Sequence, residues 1–273
     1  MTFDVTILGS NSAIPAHGRH PTAQVLNHNE KYFLLDCGEG TQMRLSQFKI
    51  KRSKIDQIFI THLHGDHYYG LIGLLTSYHL LQRKDPLHVF SPKGLKEIIE
   101  LNFKYSDTHL LYEIIFHEYD AQAEEIVFGN EELQVSTIIM NHRIPTCGFL
   151  FQEKKHPRKI LPEKLEEFNI PISAIPDLKS GKDFVTDGKT IPNSELTGEP
   201  SSARTYAFCS DTLYNEKIIP QVEGADLMYH ESTFMNESAE RAIQTFHCTG
   251  SQAATIAVKA NVKKLLIDRK SVV

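Results

Sequence analysis

Apolar and polar positions change period several times along the chain, and each change marks an element. Val5 and Ile7 alternate with polar neighbours and lead through Leu8-Gly9 into a Gly/Ser/Asn/Pro-rich stretch at 9–22, predicting a strand and a long loop. Ala23 to Leu26 and Tyr32 to Leu35 flank the polar Asn27-His28-Asn29-Glu30, which predicts a hairpin. A helix-like run, Thr41 to Phe48, and a short buried strand, Ile58-Phe59-Ile60, come next. Beyond His67, the residues Leu71, Leu74, Leu75 and Tyr78 recur at i, i+3, i+4 and i+7, so the strand opens onto a loop and then an amphipathic helix. A strand at Leu87 to Phe90, a helix at Leu95 to Phe103 and a strand at Tyr112 to Tyr119 follow. Glu125 to Phe128 and Leu133 to Met140 pair across Gly129-Asn130, and further strands are predicted at Gly148 to Gln152, Thr205 to Cys209, Leu227 to Tyr229 and Val262 to Ile267. A helix capped at Thr249 or Ser251 runs to Lys259. Hairpins alternating with strand-helix units predict an α/β protein with mixed sheets and outer helices.

Residues 153–200 break this regularity. They carry six prolines (Pro157, Pro162, Pro171, Pro176, Pro192, Pro200), the basic cluster Lys154-Lys155-His156-Pro157-Arg158-Lys159, and few large apolar residues in any period. The segment is predicted to leave the core, either as a solvated insertion or as a binding arm.

Length, 273 residues, lies between one large domain and two small ones. With 41% hydrophobic and 23% charged residues the chain falls among ordinary globular proteins, which excludes disordered and collagen-like classes. Apolar runs such as Leu71 to Leu75 break far short of the roughly 20 residues that span a bilayer, and the start lacks a signal-peptide pattern, so a cytoplasmic location is expected. A net charge of −5 argues against indiscriminate nucleic-acid coating while leaving room for a local basic patch. The four cysteines, Cys37, Cys147, Cys209 and Cys248, are widely spaced and predict buried thiols. Histidine is the anomaly: 14 of them outnumber Pro (12) and Tyr (10), which invites a search for metal clusters.

The search ends at Thr61-His62-Leu63-His64-Gly65-Asp66-His67, immediately after a predicted strand. In an extended chain His62, His64 and Asp66 share a face while His67 turns aside, an arrangement suited to two metal ions. Packed imidazoles and a carboxylate would make poor core filling. His142 and Asp211 each follow an apolar strand, where α/β active sites collect. His17, His20, His28, His79, His88, His109, His117 and His156 read as ordinary surface or core residues.

The H-x-H-x-D-H motif, with Asp36-Cys37-Gly38-Glu39-Gly40 upstream, resembles the metallo-β-lactamase superfamily. Leu8-Gly9-Ser10, Thr41-Gln42, Asn141-His142-Arg143-Ile144-Pro145, Ser210-Asp211-Thr212, His230-Glu231-Ser232-Thr233-Phe234 and His247-Cys248-Thr249 occur in the order of the ribonuclease Z family within it. The resemblance implies an αββα sandwich of two mixed sheets over residues 1–273, with 153–200 as an inserted substrate-binding arm. It implies two Zn²⁺ ions per subunit: His62, His64 and His142 for one, Asp66 and His67 for the other, Asp211 bridging. Asp66 and His247 would be catalytic, His247 being oriented by Glu231, while His230 reads as a satisfied strand-end residue. It further implies a homodimer that cuts precursor tRNA after the discriminator nucleotide, with Lys154, Lys155, Arg158 and Lys159 meeting phosphates.

Two departures stand against the family pattern. Pro171-Ile172-Ser173-Ala174-Ile175-Pro176 replaces the arm's Gly-Pro turn, and Asp268-Arg269-Lys270-Ser271-Val272-Val273 stands where the family carries another zinc-ligating histidine. The second zinc is therefore expected to be weakened, with Asp268 as a substitute one residue early. Two other readings stay open: a small phosphodiester or ester hydrolase on the same scaffold, and a silent zinc-stabilised RNA-binding protein.

Overall fold

Alternating strands place one row of phenylalanines between two sheets. The computed structural model describes residues 2–268 apart from Ala13, His17 and Asp187. The first sheet takes the order β1 (Phe3–Gly9), β2 (Ala23–His28), β3 (Lys31–Leu35), β4 (Ile55–Phe59), β5 (Leu87–Pro92) and β6 (Ile114–Tyr119). It is mixed, since β1, β2 and β3 pair antiparallel and β3 to β6 pair parallel. The β2–β3 turn passes through Asn29 and Glu30 at positive φ, as a tight hairpin requires.

β7 (Ile126–Gly129), β8 (Leu133–Ile139) and β9 (Cys147–Glu153) form one side of the second sheet. Between β9 and the rest of that sheet the chain makes β10 (Lys159–Ile160), β11 (Phe184–Thr186), β12 (Lys189–Ile191) and β13 (Thr197–Gly198), which pair as two small ribbons. β14 (Thr205–Cys209), β15 (Leu227–His230) and β16 (Leu265–Ile267) then complete the second sheet, running parallel to one another.

Phe59 of β4 stacks on Phe90 of β5 at 4.5 Å and meets Phe149 of β9 edge-on at 5.2 Å, while Phe33 of β3 meets Phe128 of β7 at 5.6 Å. Burying such rings is worth about 1.5–3 kcal/mol each, so this layer binds the sheets face to face. Helices Thr41–Gln47, Gly65–Leu80 and Leu95–Tyr105 cover the outer face of the first sheet through Leu45, Leu71, Leu75 and Ile99. Ile219–Val222 and Gly250–Lys259 cover the second with Val222 and Ile256. The result is helix, sheet, sheet, helix, with the helix at Gly250 opened by a Thr249–Gln252 capping box.

The chain divides into two compact units: residues through Phe128 with Val135–Phe151 and Thr205 onward, and Gly129–Gln134 with Gln152–Arg204. The second unit, into which the segment 153–200 falls, has a small core of its own. Ile170, Leu178 and Leu196 are buried there with Ile160, Leu165, Phe168 and Ile191 packed around them, a small core whose members follow no single period because they come from short helices and ribbons. The Pro171–Pro176 stretch becomes a 3₁₀ turn, Ile172–Ala174, running into a short helix, Ile175–Ser180. All four cysteines are buried free thiols. Among the described residues no helix is long and apolar enough to cross a membrane.

Candidate metal centre

Segments that end strands or begin helices bring their polar residues to one place. After β4 the chain bends at Leu63 and His64, and His64, with extended backbone angles (φ −77°, ψ 143°), caps the helix Gly65–Leu80. The helix thus starts before the apolar repeat that marks it in sequence. Asp66 and His67 lie in its first turn, so Asp66 does not continue an extended face with His62 and His64 as the sequence predicts. The third member of that group comes from beyond β8 instead: His64 Nδ1 stands 3.1 Å from His62 Nε2 and 3.2 Å from His142 Nε2.

Donor atoms of His62, His64 and His142 lie within 4.8 Å of one another, as do those of His62, His67 and Asp211 and those of His142, Asp211 and His247. Asp211, just beyond β14, belongs to two of these groups, and its Oδ2 is 3.4 Å from His67 Nε2. Asp66 Oδ2 is 3.6 Å from the same nitrogen and faces the cleft. Nitrogens bound at 2.0–2.1 Å to one tetrahedral ion stand about 3.3 Å apart, so the spacing around His64 suits a shared cation.

Protonation favours the same use. A carbonyl only accepts, so His142 Nδ1 donates to the Phe246 carbonyl (2.8 Å) and leaves its Nε2 lone pair toward His64. Likewise His67 Nδ1 donates to Asp36 Oδ2 at 2.6 Å. Burial pushes His62 well below the usual imidazole range and His142 down to about 4, against the pull of Asp211, and it lowers His64 as well. Neutral imidazoles are what a cation binds.

Asp36 carries no role in the sequence reading beyond its motif. It ends β3 in the left-handed region (φ 55°), and its carboxylate accepts from the Thr61 amide at 2.8 Å and the Thr61 hydroxyl as well as from His67. The loop that holds it is pinned to the helix: Cys37 N donates to the His67 carbonyl (2.7 Å) and Gly70 N to the Cys37 carbonyl (2.9 Å). A Cβ on Gly70 would stand 2.1 Å from the Gly38 carbonyl oxygen, so the approach needs glycine. A charged residue ending the apolar run Tyr32 to Leu35 is the signal that marks Asp36 in sequence. Arg143, whose Nη2 is 3.1 Å from His64 Nε2, and Phe246, left-handed at φ 60°, carry no comparable signal.

His247 lies on the opposite wall, its Nδ1 2.9 Å from Glu231 Oε1. Glu231 is fully buried and also accepts from the amides of Thr212 (3.1 Å), Thr233 (2.8 Å) and Cys248 (3.0 Å), so its direction is fixed. His230 turns away and donates from Nδ1 to the Glu231 carbonyl at 2.7 Å. The cleft bounded by His64, Asp66, Tyr69, His142, Asp211 and His247 has a volume of about 520 Å³.

Among the described residues Asp268 is in none of the converging donor groups. Its Oδ1 accepts from the Ser232 amide at 2.9 Å and its Oδ2 from the Tyr229 hydroxyl. Arg269, where the resemblance places a histidine, lies outside the described residues. In the second unit Lys154, Lys155 and Lys159 are exposed. Arg158 is half-buried, pairing with Glu199 at 2.9 Å and donating from Nε to the Thr197 hydroxyl at 2.7 Å.

Ribonuclease Z of Bacteroides thetaiotaomicron is 43% identical over 270 residues, which are 98% of this chain and 85% of that one. The crystal structure of human tRNase Z, short form, superposes with a TM-score of 0.73 at 27% identity, covering 97% of this chain and 92% of the human one. The metallo-β-lactamase-fold protein YhfI from Bacillus subtilis, 16% identical, shares the fold with a TM-score of 0.66 over 97% of this chain and 84% of its own. The model of a family described as Anti-Pycsar protein Apyc1 matches residues 3–155. The metallo-β-lactamase fold and the histidine groups go with a metal cofactor. The chain belongs to the ribonuclease Z family, and its residues 3–155 fall as well within the family described as Anti-Pycsar protein Apyc1.

Proposed function

We propose that this protein is a zinc-dependent endoribonuclease that removes the 3′ trailer from precursor tRNA, leaving a 3′-hydroxyl on the tRNA and a 5′-phosphate on the trailer. The observation that carries the reading is the convergence of His62, His64, His67, His142 and Asp211 at spacings that suit cations, in a chain of this family. His62, His64 and His142 would hold one zinc and Asp66 with His67 the second, Asp211 standing between them. Two divalent cations there supply an acidified water and neutralise phosphoryl charge.

The chain's own groups divide the proton work. Asp66, at the cleft wall, accepts the proton of the attacking water. His247 donates to the leaving 3′ oxygen, and Glu231 holds its Nδ1 so that Nε2 faces the cleft. Residues 153–200 act as the arm that meets tRNA, with Lys154, Lys155 and Lys159 free to reach phosphates and Arg158 reaching them only by exchanging Glu199. The same reading includes the homodimer and the cytoplasmic setting implied by the resemblance. Its test is metal analysis of the purified chain alongside incubation with a 3′-extended precursor tRNA. The proposal expects bound zinc and chelator-sensitive cleavage; intact precursor in the presence of added Zn²⁺ and Mn²⁺ would refute it.

A further inference from the structure

Tyr69 is a large aromatic side chain standing 67% exposed at the mouth of the cleft that Asp66, His64 and His247 also line. A lone exposed tyrosine means little. This one is seated. It lies one turn after Gly65, and helical side chains lean back toward the N-terminus, so its ring comes over the Gly65 backbone. A Cβ on Gly65 would meet ring atoms Cε2, Cζ and Cδ2 at 2.1, 2.3 and 2.6 Å, so only glycine lets the ring take this place. Tyr68 props it from the side, ring centroids 5.0 Å apart and nearly perpendicular at 71°. The ring is held on two sides and otherwise stands largely exposed along the cleft.

Resting on the nuclease reading above, we propose that Tyr69 is a stacking platform for an unpaired nucleobase flanking the scissile phosphate. The junction between a tRNA 3′ end and its trailer is single-stranded, and splayed bases are bound by stacking on aromatic rings. Such stacking tolerates any base, since every base has a π face. The residue therefore acts on placement of the strand rather than on its sequence, holding the phosphodiester over the His64 and Asp211 groups. Tyr69 is a positioning residue, and its hydroxyl is dispensable.

The test is a cycle between protein and substrate. Wild-type holoenzyme, Tyr69→Ala and Tyr69→Phe are each given intact precursor tRNA and two precursors lacking the base on one or the other side of the cut. Tyr69→Ala should lose about 5- to 150-fold in kcat/KM on the intact precursor, and Tyr69→Phe should retain wild-type rates. Removing the contacted base should cost the wild type a similar factor while costing Tyr69→Ala little more. Equal losses for Tyr69→Ala on all three substrates, or no loss on the intact one, overturn the platform even when the wild type processes precursor normally. Failure of the wild type itself on the intact precursor would remove the nuclease reading, and the platform with it, before any variant is compared.

Discussion

Asp36 accepts the Nδ1 proton of His67 at 2.6 Å, and both side chains are fully buried. The bond fixes the imidazole so that its Nε2 faces Asp211 and Asp66, and the same carboxylate organises Thr61 beside His62. Loss of such an orienting partner costs roughly 10- to 100-fold in metal affinity or activity. Asp36→Asn is therefore expected to lose metal on dialysis and to fall in kcat/KM by that order. Wild-type metal content and rate in this variant would show that His67 needs no orienting carboxylate.

His247 belongs both to a possible ligand group and to a hydrogen-bonded pair with Glu231, and the two roles separate experimentally. As a proton donor its loss costs about 10²- to 10⁴-fold in kcat. His247→Ala should show that loss with metal content intact, and Glu231→Gln a smaller one. A stoichiometric loss of metal in His247→Ala would make it a ligand instead.

For the arm, replacing Lys154, Lys155 and Lys159 by alanine should raise KM for precursor tRNA and flatten its salt dependence. Each lost phosphate contact reduces the slope of log affinity against log salt by about 0.7 to 0.9. An unchanged slope would mean that these side chains touch no phosphate.

Much of this architecture is legible in the chain because its elements are amphipathic. Leu71, Leu74, Leu75 and Tyr78 repeat with helical period and do pack on the first sheet, and Thr205 to Cys209 is a strand with the bounds its apolar run suggests. The histidine groups are legible for another reason: clustered imidazoles have few structural uses. What escapes sequence is set by tertiary contacts. The early helix start at Gly65 moves Asp66 off the face of His62 and His64, the Phe246 carbonyl that orients His142 belongs to a left-handed residue with no local signature, and the core of the second unit is assembled from short pieces.

Glu153 ties the second unit's two ends together. It accepts from Arg204 Nη2 (2.6 Å), Nε (2.8 Å) and amide (2.9 Å), and lies 3.2 Å from His156 Nε2. Burial alone would raise this carboxyl, but the Arg204 side chain, the Arg204 amide and His156 outweigh it and hold Glu153 at about 2, below its ordinary 4.5. A folded-state value below the unfolded one stabilises fully above 4.5, and that contribution is lost as pH falls toward 2. Thermal unfolding followed across that interval should decline more steeply for the wild type than for Glu153→Gln. Parallel declines would mean that Glu153 contributes nothing to acid sensitivity.

The most direct measurement is the chemical mapping of both ends released from one 3′-extended precursor tRNA by the metal-loaded protein. The account predicts a single cut after the discriminator nucleotide, with a 3′-hydroxyl on the tRNA and a 5′-phosphate on the trailer, abolished by chelator and restored by zinc. A 2′,3′-cyclic phosphate at the new end, or cleavage indifferent to chelator, would contradict it.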